Sequence, residues 1–124
     1  MRVSTSILLV SAVVFFLDFA NANCTPKLNE VCKDCCAILY ATDVCDLTGN
    51  SKKLVRVGDP AFVGEEFNRK AVKAELKEGC ILKMWRGRNK QGMMKTIGLD
   101  GKKIHNLKDH DFDLRAAEVS CSCM

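Results

Sequence analysis

Short apolar runs that end in an aromatic residue occur twice along the chain and predict β-strands. They are residues 36–40 (CAILY) and residues 80–85 (CILKMW). Each run precedes a polar stretch that contains glycine, at residues 47–51 and 87–92, where glycine permits the backbone of a tight turn. Residues 54–57 alternate apolar and polar, and Asp100-Gly101 is a hairpin-type dipeptide. The pattern predicts several strands joined by tight turns.

One segment, residues 65–78, supports two interpretations. It is rich in good helix formers and stops at Gly79, a residue typical of helix C-termini. Within it, however, Val72, Ala74 and Leu76 alternate with charged residues, which is a strand pattern. Periodicity alone supports a helix and a strand equally.

The first 22 residues have the order of a secretory signal. Met1-Arg2 precedes an apolar run at residues 7–17, and Ala20-Asn21-Ala22 is a small-residue cleavage site. A membrane anchor is the alternative, but the run is about half of the roughly 20 residues that span a bilayer. We therefore predict a signal peptide at residues 1–22 and a secreted protein, extracellular or in a secretory granule, that is not an integral membrane protein. Residues 23–124 are enough for a single domain.

Cysteine is abundant in the predicted mature chain. An even number of cysteines in a small exported domain indicates a disulfide framework. Zinc binding is the alternative because Cys32 and Cys35 form a Cys-x-x-Cys pair, but an oxidising compartment pairs thiols and the adjacent Cys35-Cys36 does not fit usual zinc spacing. We predict bridges, with the pairing left open, among Cys24, Cys32, Cys35, Cys36, Cys45, Cys80, Cys121 and Cys123.

The net charge of +4 at pH 7 is mildly basic and falls short of a nucleic-acid-binding footprint. Several cations follow the second aromatic run, where Trp85, Met93 and Met94 also lie. If the fold brings them together, they form a patch suited to anionic lipid headgroups or sulfated glycans. Solvated surface lysines are the alternative interpretation. The candidate patch comprises Arg86, Arg88, Lys90, Lys95, Lys102 and Lys103.

Motifs for catalysis are not found. The sequence has no nucleophile elbow, HExxH motif or phosphate-binding glycine loop, and it indicates no cofactor. His105 and His110 are the only histidines, and a local run of aspartates surrounds the second of them. Neither histidine has a partner at a recognised ligand spacing, so we predict a polar surface loop and no metal site.

Sliding the chain against itself by 45 positions makes several landmarks coincide. The segment at residues 67–72 (FNRKAV) falls on residues 112–117 (FDLRAA). Other coinciding pairs are Cys35 with Cys80, Tyr40 with Trp85, and Leu54 with Leu99. A fixed period is typical of repeated supersecondary units. We predict two repeat units, at about residues 35–79 and 80–124.

Three segments carry a resemblance to a known family. They are EGCILKMW at residues 78–85, followed by Asn89 and Gly92, the spacing from Phe67 to the Gly-Cys at residues 79–80, and the closing stretch at residues 111–123, which ends in Cys-x-Cys. In these segments the sequence resembles the βγ-crystallin superfamily, and within it the syncollin-like secretory-granule proteins. The resemblance implies an all-β fold, a small disulfide-stabilised β-sandwich of two intertwined Greek-key motifs. It also implies that residues 71–76 form a strand and that Trp85 is a core aromatic.

Members of this superfamily often bind calcium through an Asx-Asx-x-x-Ser/Thr-Ser signature, which falls here on residues 68–73 and 113–118. Both copies lack the serines, and the first places Arg69 and Lys73 where calcium requires oxygen. The second copy keeps Asp113 and Glu118, so it is the closer of the two to a calcium site. We expect no useful calcium affinity.

The expected function combines three predictions: secretion, a disulfide framework and the resemblance to the βγ-crystallin superfamily. Syncollin-like proteins associate with granule membranes, so the resemblance implies a secreted, non-enzymatic binding protein that acts at a membrane surface or on a secretory glycoprotein or glycan. The alternative is an exported membrane-active toxin or antimicrobial effector, since small basic cysteine-rich secreted proteins are frequently of this kind.

Overall fold

The computed structural model describes residues 24–124, so the predicted signal peptide lies outside the described residues. A short helix α1 (Leu28–Val31) precedes eight strands, and 3₁₀ turns occupy Gly49–Ser51 and Leu107–His110. The strands are β1 (Cys35–Tyr40), β2 (Lys52–Arg56), β3 (Ala61–Phe62), β4 (Lys73–Leu76), β5 (Cys80–Trp85), β6 (Met94–Ile97), β7 (Ile104–Asn106) and β8 (Glu118–Cys123). Among these residues no helix has the length and apolar character needed to cross a membrane.

The strands form two four-stranded sheets with the orders β2-β1-β4-β7 and β3-β8-β5-β6. All named strand pairs are antiparallel. Each sheet takes three strands from one half of the chain and one from the other, because β3 pairs with β8 and β7 pairs with β4. This exchange produces two intertwined Greek keys, so the all-β prediction is confirmed.

The segment with two interpretations contains a strand, β4, and not a helix. Ala74, Glu75 and Leu76 are all buried in it, and β4 lies between β1 and β7. In that central position its backbone groups pair on both sides, which a helix at this place would forgo. Cross-strand partners therefore outweigh the helix propensity of the lysines, glutamates and alanine.

Strand positions in the two halves keep the 45-residue offset at two of four places. The first strands begin at Cys35 and Cys80, and the fourth strands begin at Lys73 and Glu118. The second strands do not keep it, since Leu54 lies in β2 whereas Leu99 follows β6 and is 78% exposed. The Leu54–Leu99 landmark therefore has no structural counterpart, and the duplication stays a prediction.

One core cluster lies between the two sheets, and a second cluster, which includes Leu28 and Tyr40, packs β1 against α1. Strand β1 is buried along its whole length, and β5 buries four of its six residues. Tyr40 and Trp85 end these strands, with 0% and 9% of their surface exposed. Trp85 is therefore buried as predicted, but unlike Tyr40 it belongs to neither core cluster. We call the end of the sandwich that holds these two residues the loop end, and the opposite end, where β5 begins, the cysteine end.

All eight cysteines are bridged, as Cys24–Cys45, Cys32–Cys35, Cys36–Cys121 and Cys80–Cys123. The prediction of disulfides over zinc is confirmed. Cys36 lies in β1 and Cys121 in β8, so that bridge joins the two sheets. The Cys80–Cys123 bridge lies beside it, with 3.4 Å between the Sγ atoms of Cys36 and Cys123.

A buried carboxylate attaches the N-terminal segment to the first sheet. Glu75, only 2% exposed, accepts hydrogen bonds from the backbone amides of Lys27 and Leu28 at 2.8–3.0 Å. The hydroxyl of Tyr40 donates to the same carboxylate at 3.2 Å. Burial, and then the charge and hydrogen bond of Glu75, raise the pKa of Tyr40 well above its usual value.

We expect this tyrosine to make the protein sensitive to alkali. The raised pKa means that the folded state holds the phenol proton more tightly, so stability is complete below the unfolded pKa of 10.0 and falls as pH rises above it. Tyr40 is the only tyrosine, so tyrosinate absorbance in the near ultraviolet reports on it alone. Tyrosinate should appear only together with unfolding. Ionisation in the folded protein near the usual pKa would contradict the buried Tyr40–Glu75 contact.

Candidate ligand-binding surface

The two segments that correspond to the crystallin calcium signature lie side by side at the loop end. The amide of Arg69 donates to the carbonyl of Ala116 at 3.0 Å, and the amide of Leu114 donates to the carbonyl of Ala71 at 2.8 Å. Arg69 and Leu114 occupy equivalent positions, and both have positive φ values, 57° and 58°. The segments are therefore related by an approximate two-fold arrangement of backbone hydrogen bonds.

The residues present do not fit a calcium ion in the first segment. The oxygen Oδ1 of Asn68 is buried, and no described residue hydrogen-bonds to it, so one oxygen is available. Calcium requires about 6 to 8 oxygen ligands. The nearby cations are committed elsewhere, since Arg69 Nε donates to the carbonyl of Arg86 at 3.3 Å and Lys73 Nζ donates to the carbonyl of Asp43 at 2.8 Å. Val72 supplies only hydrocarbon at the first serine position.

The second segment is not closer to a calcium site, contrary to the sequence-based expectation. Glu118 is only 6% exposed, and its two carboxylate oxygens accept the amides of Asn89 and Lys90 at 3.1 and 2.7 Å. Through these hydrogen bonds the Glu118 carboxylate stabilises the turn that contains Asn89 and Lys90. Asp113 is then the one remaining carboxylate in the segment, which is too few ligands for calcium.

We expect calcium to leave the protein unchanged. Isothermal titration at low salt should show no heat of binding, and millimolar calcium should leave the melting temperature as it is in chelator. The triple variant Arg69→Asp, Val72→Ser, Lys73→Ser supplies oxygens at the first segment and should gain measurable affinity. A micromolar site in the unmodified protein would contradict the prediction.

Internal hydrogen bonds stabilise the backbone of the basic turn between β5 and β6, residues 86–93. Arg86 and Met93 are joined by a backbone hydrogen bond of 2.9 Å, and Gly87 donates to the carbonyl of Gln91 at the same distance. Asn89 and Lys90 both have positive φ, 57° and 59°, a conformation that costs free energy in residues with a side chain. Glu118 offsets this cost by accepting both of their amides.

The three cations of this turn are exposed, but they are not equivalent. The guanidinium of Arg88 lies over the ring of Phe62, with Cζ 4.0 Å from the ring centroid. Its Nη1 lies 3.9 Å from Oε1 of Glu65. Arg86 and Lys90 have no salt bridge to a described residue. Arg86 and Lys90 are therefore the cations of this turn that are available to an external anion.

The other three cations of the candidate patch lie away from this turn. Lys102 and Lys103 follow the turn at the cysteine end, where Gly98 lies against the carbonyl of Cys80 and the carbonyl of Lys103 accepts the amide of Leu76. Strand β5 runs from one end to the other. Its six residues are separated by five rises of about 3.3 Å, so the two ends lie roughly 17 Å apart. The structure thus brings together Arg86, Arg88 and Lys90, but not Lys102 and Lys103.

Lys95 lies between the two groups, on β6, and faces inward. It stands opposite the buried Met84, and residues directly opposite in an antiparallel pair share a face of the sheet. Its charge, after burial and the neighbouring His105, is one of the causes that lower the pKa of His110. Lys95 therefore lies near His110 and is set apart from the exposed cations of the basic turn.

Apolar side chains are exposed beside the basic turn. Met93 and Met94 have 48% and 47% of their surface exposed, and Leu114 has 55%. Met94 stands opposite Trp85 in the β5–β6 pair, and Leu114 belongs to the second signature segment at the same end. The loop end consequently presents both cations and large apolar side chains.

Sequence reasoning missed two features at this surface and near it. The first is the pair of buried glutamates, Glu75 and Glu118, which each bind two backbone amides. The second is the contact between His105 and His110, whose nearest ring nitrogens are 3.4 Å apart. Residue type gave no signal for either, because both depend on partners brought in by the fold.

Comparison with known proteins places the fold. No protein-family model matches the sequence, and no curated protein matches it. A domain solved in work on the evolution of the eye-lens βγ-crystallin domain fold is similar, with a TM-score of 0.58 and 7% identity, over 73% of this chain and 88% of that chain. A βγ-crystallin domain from Flavobacterium johnsoniae gives a TM-score of 0.53 and 12% identity, over 70% and 93%.

A third similar structure contains calcium. It is a βγ-crystallin domain of Abundant Perithecial Protein from Neurospora crassa in the Ca²⁺-bound form, with a TM-score of 0.54 and 14% identity, over 73% of this chain and 90% of that chain. Identities this low carry no site residue across to this protein. The intertwined sheets and these three structures together show that the chain has the βγ-crystallin domain fold.

Proposed function

We propose that the protein is a secreted, non-enzymatic binding protein that docks on anionic membrane surfaces through its loop end. The single observation that carries the proposal is the exposure of Arg86 and Lys90 on one internally supported turn that leads into the exposed Met93 and Met94. The predicted export and the resemblance to syncollin-like proteins, which associate with granule membranes, support the same assignment.

The turn is organised before any ligand binds. Glu118 holds the amides of Asn89 and Lys90, so the two exposed cations are presented on a backbone that need not order on binding. A preorganised surface loses less conformational entropy when it docks. This feature favours a binding role over a simple solvated loop.

The apolar neighbours favour a membrane over a glycan. A sulfated glycan offers anions but no hydrocarbon, whereas the interfacial region of a bilayer accepts both Lys or Arg and apolar side chains. Met93, Met94 and Leu114 are about half exposed and lie at the same end as the cations. Their partial burial in the headgroup region would add an apolar contribution to the electrostatic attraction.

The experiment measures cosedimentation with vesicles of phosphatidylcholine alone and of phosphatidylcholine with phosphatidylserine. We expect binding only to the anionic vesicles, and weaker binding at high salt. Each Lys or Arg near such a surface contributes about 1 kcal/mol, so the variant Arg86→Ala, Lys90→Ala should bind about 30-fold more weakly. The matched control Lys102→Ala, Lys103→Ala removes the same charge from the cysteine end and should bind like the unmodified protein.

Other outcomes distinguish the alternatives. Equal loss in both double variants would mean that net charge alone drives binding and would contradict the docking surface. Binding to heparin without binding to anionic vesicles would assign the turn to a sulfated glycan. Release of a trapped dye from anionic vesicles at low protein concentration would instead indicate the membrane-active toxin or antimicrobial alternative.

A further inference from the structure

The two histidines of the chain meet beside β7, which is an edge strand of its sheet. His105 lies in β7 and is 3% exposed, and His110 ends the following 3₁₀ turn and is half-buried. Asp111, with a φ of 54°, ends this turn, and its amide returns to the carbonyl of Lys108 at 3.0 Å. The turn folds the ring of His110 back toward His105, with 5.5 Å between the ring centroids.

The hydrogen bond on the far side of His105 determines its tautomer. Nε2 lies 2.9 Å from the carbonyl oxygen of Lys102. Because a carbonyl only accepts, Nε2 carries the proton, and Nδ1 of the neutral ring carries the lone pair. That lone pair faces His110. A histidine whose other ring nitrogen donates to a backbone carbonyl is the usual arrangement of a metal ligand.

The separation of the facing nitrogens suits a shared ion. Nδ1 of His105 and Nε2 of His110 are 3.4 Å apart. This is longer than the usual range of about 2.7 to 3.2 Å for a hydrogen bond from nitrogen. Two nitrogens bound to one tetrahedral zinc at about 2.0 to 2.1 Å from the metal stand about 3.3 to 3.4 Å apart.

Carboxylates and a cavity complete the surroundings. Asp100 and Asp109 line, with both histidines, a cavity of about 160 Å³, which is large enough for an ion and water. Oδ1 of Asp100 lies 3.9 Å from Nε2 of His105, the ring nitrogen that does not face His110. This carboxylate therefore stabilises the protonated side of His105 and is not one of the proposed ligands. Asp109 is exposed, directly precedes His110 and lines the same cavity, so it is the carboxylate of this cavity that is free to turn toward the pair.

We propose that His105 Nδ1, His110 Nε2 and the carboxylate of Asp109 form a binding site for zinc, or a divalent transition ion of similar preference, with water as the fourth ligand. Two imidazoles and one carboxylate are a common zinc ligand set, and nitrogen ligands disfavour calcium and magnesium. The charge of Lys95 opposes the ion, whereas Asp100 and Asp109 offset it. The site lies apart from the basic turn, so it stands or falls independently of membrane docking.

The test uses the untagged, fully oxidised protein, since a histidine tag or a free thiol would bind zinc by itself. Isothermal titration with zinc should give one ion per chain with a Kd in the micromolar range, and calcium should give no heat. The chain has two histidines, so imidazole ¹⁵N spectra contain two ring systems. Zinc should shift Nδ1 of His105 and Nε2 of His110, and leave Nε2 of His105 protonated.

The variants separate ligand loss from misfolding. His110→Asn alters the more exposed ring and should keep the fold while weakening zinc binding by at least about tenfold. Asp109→Asn should weaken binding, and Lys95→Met should strengthen it, because it removes the opposing charge. An absence of heat and of ¹⁵N shifts at millimolar zinc would overturn the proposal, and so would unchanged affinity in folded His110→Asn.

Discussion

Replacing Cys36 and Cys121 together by alanine is expected to lower the free energy of unfolding by about 4 to 5 kcal/mol. The bridge closes a separation of 85 residues and joins the two sheets. Without it, the unfolded chain regains the conformational entropy of a long loop, and long loops contribute most in the chain-entropy account. Both cysteines are 1% exposed, so alanine avoids placing a new polar group in the core.

Chemical denaturation of the double variant measures this loss, and a second pair provides the control. The Cys32–Cys35 bridge spans only 3 positions, so Cys32→Ala, Cys35→Ala should cost under about 2 kcal/mol on the same reasoning. Full reduction removes all four bridges and should exceed the usual stability margin of about 5 to 15 kcal/mol. A reduced protein that kept its near-ultraviolet circular dichroism would contradict the expected dependence on bridges.

Truncating Trp85 to alanine is expected to lower the free energy of unfolding by about 3 kcal/mol, the lower end of the range for large aromatics, because Trp85 is buried but packs outside both core clusters. The residue ends β5 with 9% of its surface exposed, between Met94 on one side and Glu118 on the other. Its carbonyl also accepts the amide of Ala117 at 2.9 Å, so loss of packing there affects the start of β8.

Thermal or chemical denaturation of Trp85→Ala is compared with that of Lys83→Ala, an exposed residue of the same strand. The control should stay within about 0.5 kcal/mol of the unmodified protein. A Trp85→Ala variant that kept its melting temperature but lost vesicle binding would assign the tryptophan to the docking surface instead of the core.

The strands with the clearest local signal were predictable from the sequence. Residues 36–40 and 80–85 are short apolar runs with aromatic ends, and the structure has β1 and β5 there. The segment that contains β4 was ambiguous because its local propensity is helical, and the deciding contacts with β1 and β7 come from residues at least 29 positions away. The resemblance to the βγ-crystallin superfamily predicted a strand at residues 71–76, which periodicity alone could not.

Functional groups were harder to predict because they depend on strand direction and on turns. The candidate patch grouped Arg86 with Lys102 because the two residues are near in sequence. In the structure, the turn that contains Arg86 and the turn that precedes Lys102 lie at opposite ends of the β5–β6 pair. His105 and His110 are five residues apart, a spacing that no regular helix or strand aligns. Only the 3₁₀ turn and the left-handed Asp111 bring their rings together.

The exchange of β3 and β7 between the sheets has a consequence for how the chain is made. Strand β3, at Ala61–Phe62, has as its sheet partner β8, which ends at Cys123. Bridge partners of Cys36 and Cys80 also lie in β8. During synthesis from the N-terminus, β3 therefore has no sheet partner until β8 has been made, and each sheet needs one strand from the other half of the chain. We expect folding to be completed only after β8 has been made, with the two bridges to β8 closing last.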